Sequence, residues 1–205
     1  MRLPRGGAYR PALRTQYISA MKYCSQCGGP IERRVPAGDL LPRAVCTVCA
    51  TIHYENPKIV VGCIPEHDGR ILLCRRAIEP RRGYWTVPAG FLENGETLEA
   101  GAARESWEEA QARVEIGSLV AVVSVVHAHQ VHIFFRAHLP HPEFGVGAES
   151  LETELVRAEH VPWPELAFPS TEYALRRYFE DRAQGRESVH LTQFERPAWR
   201  RSASG

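Results

Sequence analysis

From Lys58 onward the apolar positions follow two different periods. The runs "KIVVGCI" and "GRILLCRR" are short, apolar and partly β-branched, and they predict two strands joined by a turn at His67-Asp68-Gly69. Over residues 97–112 the pattern changes to that of a helix, with Thr97 placed to cap it and Leu98 and Ala102 apolar. "SLVAVVSVV" and "HQVHIFFRAHL" predict further strands, and "LETELVRAEHV" has a strand-like core. A second helix is predicted at about residues 171–183, where Tyr173, Leu175 and Phe179 partly share one face. Strands predominate, with two helices to cover them, so the class is α+β: a mixed sheet between helices.

Residues 21–57 read differently. They are poor in apolar residues, carry the turn signals "GGP" and "PAGD", and contain four of the six cysteines. Cys24 and Cys27 form one C-x2-C pair, Cys46 and Cys49 another, with eighteen residues between the pairs. Two such knuckles supply the four thiolates that tetrahedral Zn²⁺ takes, and a segment with so little core needs a cross-link. A site closed by four cysteines has no place for a reacting water and is structural. Disulfides are the alternative. Cys63 and Cys74 instead fall inside apolar strand runs, where free cysteine acts as a small hydrophobe. This usage fits a reducing, cytoplasmic setting.

The segments at the two ends have little pattern. Residues 1–20 hold four arginines and no acid, as a transit peptide can, but read better as a tail. Organised sequence begins after Met21, which is an alternative start. Residues 186–205 read as a C-terminal tail. The expected organisation is therefore a tail (1–20), a zinc ribbon (21–57), a larger α+β domain (58–185) and a second tail.

Charge narrows the partners. Lys and Arg total 25 against 24 Asp and Glu, a net charge of +1, which makes nucleic acid an unlikely partner and favours no acidic membrane surface. The uncharged run 116–135 is long enough to span a bilayer, yet it is valine-rich and interrupted by His127, His129, Gln130 and His132. It reads as buried strands.

The chemistry concentrates in "GYWTVPAGFLENGETLEAGAARESWEEAQA". Glu105, Glu108 and Glu109 stand at i, i+3 and i+4, so a helix places all three on one face. Like charges there repel by a few tenths of a kcal/mol per pair. Taken alone the cluster would be a solvated acidic face. The register around it changes the reading: Gly90, five residues, Glu96, seven residues, Arg104-Glu105, then Glu108-Glu109.

That register resembles the signature of the Nudix hydrolases, G-x5-E-x7-R-E-U-x-E-E-x-G-U, with U aliphatic. Every charged position and the first glycine match. Ser106 replaces the first aliphatic residue, Gln111 the second glycine and Ala112 the last aliphatic. Losing that glycine could cost up to about 1 kcal/mol where the helix end needs positive φ. The resemblance implies a Nudix fold behind the ribbon. It implies Glu105 and Glu109 as principal ligands of Mg²⁺ or Mn²⁺, with Glu108 as ligand or base. Arg104 and Glu96 would form an orienting ion pair, and the Ala89 carbonyl would be a further ligand. Oxygen-rich carboxylate sites suit these hard cations. Glu149, in the glycine-containing loop "GVGAES", is the expected extra ligand or base.

The likeness extends along the chain. A four-cysteine ribbon leading into Tyr54, Asn56, Pro57, Lys58 and "VVGC" is similar to Nudix enzymes that hydrolyse FAD and ADP-ribose, and to bacterial ADP-ribose pyrophosphatases. It implies cleavage of a nucleoside diphosphate linked to a second group, releasing AMP. NADH pyrophosphatases share the ribbon but carry an "SQPWPFP"-type motif, where this chain reads "VSVVHAHQVHIF". NADH therefore ranks second, beside an inactive binding or regulatory module. Arg75 and Arg76 could pair with phosphate, and Trp85 or Tyr84 could stack on a base, with core packing the alternative for Trp85. His127, His129 and His132 are expected on the sheet surface or at a pocket wall, the first two sharing a strand face. By analogy a homodimer is possible.

Overall fold

The protein is described by a computed structural model covering residues 21–195, and the chain divides between Glu55 and Asn56 into two compact units. The segments 1–20 and 196–205, read from sequence as tails, lie outside the described residues.

The first unit is a three-stranded antiparallel sheet of β1 (Ile31–Arg34), β2 (Arg43–Cys46) and β3 (Ile52–His53), with β2 central. Its buried apolar residues are little more than Ala44, Val45 and the cysteines Cys24 and Cys46. So small a core cannot offset the entropy of ordering the chain without a cross-link.

The second unit is built on β4 (Lys58–His67), β5 (Arg70–Arg76), β6 (Trp85–Thr86), β7 (Ala89–Phe91), α1 (Leu98–Ala110), β8 (Glu115–Val125), β9 (Gln130–His138), β10 (Ser150–Val156), α2 (Pro169–Ala183) and β11 (His190–Phe194). The sheet runs β10-β5-β4-β9-β8-β11, with β6 on β5 and β7 on β4. β4 pairs with β9 in parallel, as does β8 with β11, and the other pairs are antiparallel. Residues 116–135 are strands, and no helix among the described residues is long and apolar enough to cross a membrane.

Period two sorts the two faces. Val61, Cys63 and Phe135 pack with Ala102 of α1, while Ile64, Phe134, Val120 and Val123 pack with Ala174, Leu175 and Tyr178 of α2. In β5 the residues Ile71, Leu72, Leu73 and Cys74 are all buried, because the strand is covered on both sides. The sheet is thus sandwiched between the two helices.

Two segments depart from the sequence reading. Residues 190–194, placed in the C-terminal tail, form β11 at the sheet edge beside β8. The alternation of "HLTQF" is too short to stand out from loop sequence. What holds it is Asp181 in α2, fully buried, which accepts hydrogen bonds from His190 Nε2 (2.9 Å), Arg186 Nε (2.9 Å), the Ser188 amide (3.0 Å) and Arg136 Nη2 (3.3 Å). Burial opposes ionisation of Asp181, but the His190, Arg186 and Ser188 hydrogen bonds outweigh it and hold the carboxyl at about 2. The second departure is at 126–128, a 3-10 turn followed by His129 at φ 54°. His127 and His129 therefore do not share a strand face.

Candidate active site

α1 begins where the sequence predicts, with Thr97 Oγ1 accepting from the Ala100 amide at 3.2 Å. It ends at Gln111, which adopts the left-handed conformation (φ 50°, ψ 26°) without being glycine. The Gly145 and Gly147 amides then donate to the Ala110 and Glu109 carbonyls at 2.7 and 3.0 Å. Those bonds satisfy orphan carbonyls of the helix end and hold the loop carrying Glu149 beside it.

The face of α1 turned to the sheet carries Glu105 and Glu109, 8% and 5% exposed. Gly90 in β7 is what admits Glu105: a Cβ there would overlap the carboxylate. Glu109 Oε2 accepts from the Ala89 amide at 3.2 Å. Burial pushes the Glu109 carboxyl up to about 8, with Glu105 adding repulsion and the Ala89 amide and Arg76 acting the other way. Burial also raises Glu105, against the neighbouring Arg104.

Arg104 ties the group together. Its Nε and Nη2 donate to Glu96 at 2.7 and 3.1 Å, and its Nη1 to Glu105 (2.7 Å) and to the half-exposed Glu108 (2.9 Å). The Arg104–Glu96 pair expected from sequence is present, and the same guanidinium also bridges two of the three clustered glutamates. Of these two largely buried carboxylates, Glu105 is bonded by Arg104, while Glu109 is hydrogen-bonded by one amide and has only the charge of Arg76 acting on it. Such a donor set fits a hard divalent ion.

The cleft over this face has a volume of about 770 Å³ and receives Glu105, Glu108, Glu109, Glu149, Ala89 and Arg76. The other large cavity, about 560 Å³ beside Arg136 and Tyr178, contains none of the clustered glutamates. Arg76 is 8% exposed, with Nε donating to the Pro80 carbonyl at 3.0 Å and its guanidinium 5.1 Å above the Phe168 ring.

Arg75 and Trp85 are not in the cleft. Neighbouring strand residues point to opposite faces, so Arg75 turns away from Arg76 and binds Glu152 (3.0 Å) and the Gly83 carbonyl (2.9 Å). Trp85 is buried in the core cluster with Ile71, Leu73 and Leu166. The Arg81 guanidinium stacks on Tyr84, 3.7 Å from the centre of the tyrosine ring, and Tyr84 does not line the cleft either.

At the far wall the cleft is lined by His127 and His132, two of the three histidines expected at the sheet surface or a pocket wall, but their neighbours there were not legible as a site. The wall combines Phe168 and Ser170 around the start of α2, Gln130 and His132 of β9, and Phe194 of β11. His132 Nε2 and Gln130 Oε1 are 2.9 Å apart, and His132 Nδ1 lies 2.9 Å from Ser170 Oγ. Burial lowers His132 to about 4 and keeps it neutral. Gln130 and His132 share β9, but the others come from the start of α2 and from β11, and nothing in the local sequence of Phe168, Ser170 or Phe194 joins them to the histidines.

In the first unit the four cysteine sulfurs lie within 4.8 Å of one another. Close separations of 3.3, 3.5 and 3.7 Å approach the tetrahedral edge of about 3.8 Å set by bonds of about 2.3 Å. None is a disulfide. The Cys49 and Val48 amides point at Cys46 Sγ, each at 3.4 Å, and lower its pKa, as a thiolate ligand requires. His53 Nε2 lies 3.3 Å from Cys24 Sγ.

Comparison with known proteins agrees with both units. A zinc-ribbon family model described as Nudix N-terminal matches residues 22–55, and the NUDIX domain model matches 56–182. A NUDIX hydrolase structure from Nitrosomonas europaea superposes with a TM-score of 0.82 at 53% identity, covering 85% of this chain and 99% of that one. An ADP-ribose pyrophosphatase from Methanocaldococcus jannaschii is 33% identical over 56% of this chain and 69% of its own length. An NAD-capped RNA hydrolase NudC from Edwardsiella ictaluri is 36% identical over 49% of this chain, but only 37% of the relative is covered.

Proposed function

Since the chain belongs to the Nudix hydrolase family, we propose that it is a pyrophosphatase cutting the diphosphate of a nucleotide joined to a second group, with ADP-ribose or FAD the leading substrates and AMP a product. The observation that carries this reading is the pair Glu105–Glu109, buried under a cleft large enough for a nucleotide and admitted there by Gly90.

In this reading Glu105 and Glu109 hold Mg²⁺ or Mn²⁺, with Glu108, Glu149 and the Ala89 carbonyl as further ligands and Glu108 or Glu149 as base. When bound, such a cation neutralises diphosphate charge and acidifies an attacking water. Arg104 and Glu96 hold the glutamates in register. Arg76, which lines the cleft where Arg75 does not, pairs with phosphate in place of the Arg75–Arg76 pair. The four cysteines hold Zn²⁺ as a structural ion.

The relative that acts on NAD-capped RNA supports NADH as the second substrate to try. The test is product analysis with ADP-ribose, FAD and NADH, each with Mg²⁺ or Mn²⁺, alongside Glu109→Gln. AMP formed by the wild type and absent in the variant supports the proposal. A folded, zinc-loaded protein that releases no AMP from any of them refutes it.

A further inference from the structure

The cleft is divided by charge. One end holds the glutamates with Arg104 and Arg76, the latter over the Phe168 ring, while the other, at Phe194, Gln130, His132 and Ser170, is lined by no formally charged side chain. A nucleotide has the same division, a polyanion at one end and a flat uncharged ring at the other. We propose that Gln130 and Phe194 form the base-recognition subsite of this cleft, Phe194 as an apolar contact for a heteroaromatic ring and Gln130 as a hydrogen-bond donor to its rim. This rests on the proposed nucleotide substrate and adds which residues select it.

The hydrogen-bond order of the wall determines what Gln130 can offer. Its Oε1 lies 2.9 Å from His132 Nε2, and an amide oxygen only accepts, so Nε2 carries the hydrogen. His132 Nδ1 is then the acceptor, and it takes the Ser170 hydroxyl proton at 2.9 Å. Ser170 is 2% exposed, which fixes this end of the chain in the interior. The relay Ser170–His132–Gln130 thus ends on the Gln130 amide N–H groups, which remain for a ligand in the cleft. Donors there match the ring nitrogens of a purine and repel nothing, since the neutral relay adds no charge.

Phe194 reaches this wall only because β11 joins the sheet. His127 Nδ1 lies 3.2 Å from the Phe194 carbonyl at one end of the strand, and Asp181 holds His190 at the other. The strand positions the ring through two anchors, neither on the catalytic helix.

The experiment is calorimetric titration of the full chain, with Mg²⁺, by AMP and by ribose 5-phosphate, which keeps the phosphate and lacks the base. It needs no turnover, so its result is independent of the hydrolysis assay above. The wild type is expected to bind AMP at least about tenfold more tightly than ribose 5-phosphate, from stacking and one hydrogen bond. Gln130→Leu and Phe194→Ala should each lose most of that preference while still binding ribose 5-phosphate as the wild type does. Thermal melting confirms that the variants fold, and Gln130→Leu, close to the native volume, serves if Phe194→Ala does not. Equal binding of the two ligands by the wild type, or binding of neither, overturns the subsite. So does a folded Gln130→Leu that keeps the full preference. If ADP-ribose is hydrolysed while the preference is absent, the subsite alone fails. If the preference is present without hydrolysis, the pyrophosphatase reading fails and the subsite stands.

Discussion

The Ala89 amide donates to Glu109 Oε2 across 3.2 Å, joining strand β7 to the last turn of α1. It is the one hydrogen bond Glu109 receives among the described residues, although the carboxylate is 5% exposed. A buried carboxylate so thinly satisfied is stable only with a proton or a cation beside it. Glu109→Gln keeps the shape and the bond from Ala89 but has no charge to bury. The variant should melt no lower than the wild type without divalent ions, lose the upward shift that Mn²⁺ produces in the wild type, and hydrolyse about 10²–10⁴-fold more slowly. Melting curves with and without Mn²⁺, beside turnover, test all three.

Gly90 lies against the Glu105 carboxylate where a Cβ would overlap it. Gly90→Ala must displace Glu105, and a misplacement of about 1 Å can cost about 10² in rate. Turnover should fall by that order while far-UV circular dichroism is unchanged. A variant with wild-type turnover would remove Gly90 from the account of the site.

Asp181 is the acid-sensitive joint of the fold. Its folded pKa, about 2, is below the unfolded value of about 3.9. The ionised form therefore stabilises the protein above about pH 4, and that contribution is lost as pH falls towards 2. Asp181→Ala removes a fully buried carboxylate that accepts four hydrogen bonds, leaves the partly buried Arg136 with Glu187 alone at 3.9 Å, and should cost about 1–3 kcal/mol. Urea midpoints measured from pH 5 down to 2 should fall for the wild type, and the Asp181 contribution to that slope should be absent in Asp181→Asn.

The first unit should hold one zinc per chain and depend on it. Replacing Cys46 by Ser removes a soft ligand whose sulfur accepts two backbone amides. Elemental analysis should show less than one zinc per chain in this variant, and hydrogen exchange across residues 22–55 should rise towards that of an unfolded segment. A zinc-free ribbon that keeps its exchange protection would contradict the dependence.

Gly90, Glu96 and Arg104 were placed by the resemblance to the Nudix signature, while the grouping of Glu105, Glu108 and Glu109 was readable in the sequence because a helix turns local spacing into a shared face. The cysteine pairs were readable for the same reason, since a knuckle is a local structure. The apolar run of β4 announced a strand, but the assignment of Val61 and Cys63 to one packed face and Ile64 to the other came only with the fold. The left-handed residue at Gln111 shows the limit of a motif: backbone geometry persisted after glycine was lost, because Gly145 and Gly147 hold the helix end from a distant loop.

What depended on long-range placement could not be read in advance. Adjacent arginines look equivalent in "CRR", and only the pleat decides that Arg76 enters the cleft while Arg75 turns to Glu152. Trp85 could stack on a base until the packing of β6 placed it in the core. β11 carries too few apolar residues to declare itself, and it exists through Asp181 and the free edge of β8. Local chemistry along the chain determined which residues can act. Burial and pairing between distant segments decided which of them meet, because those energies exist only once the sheet has formed.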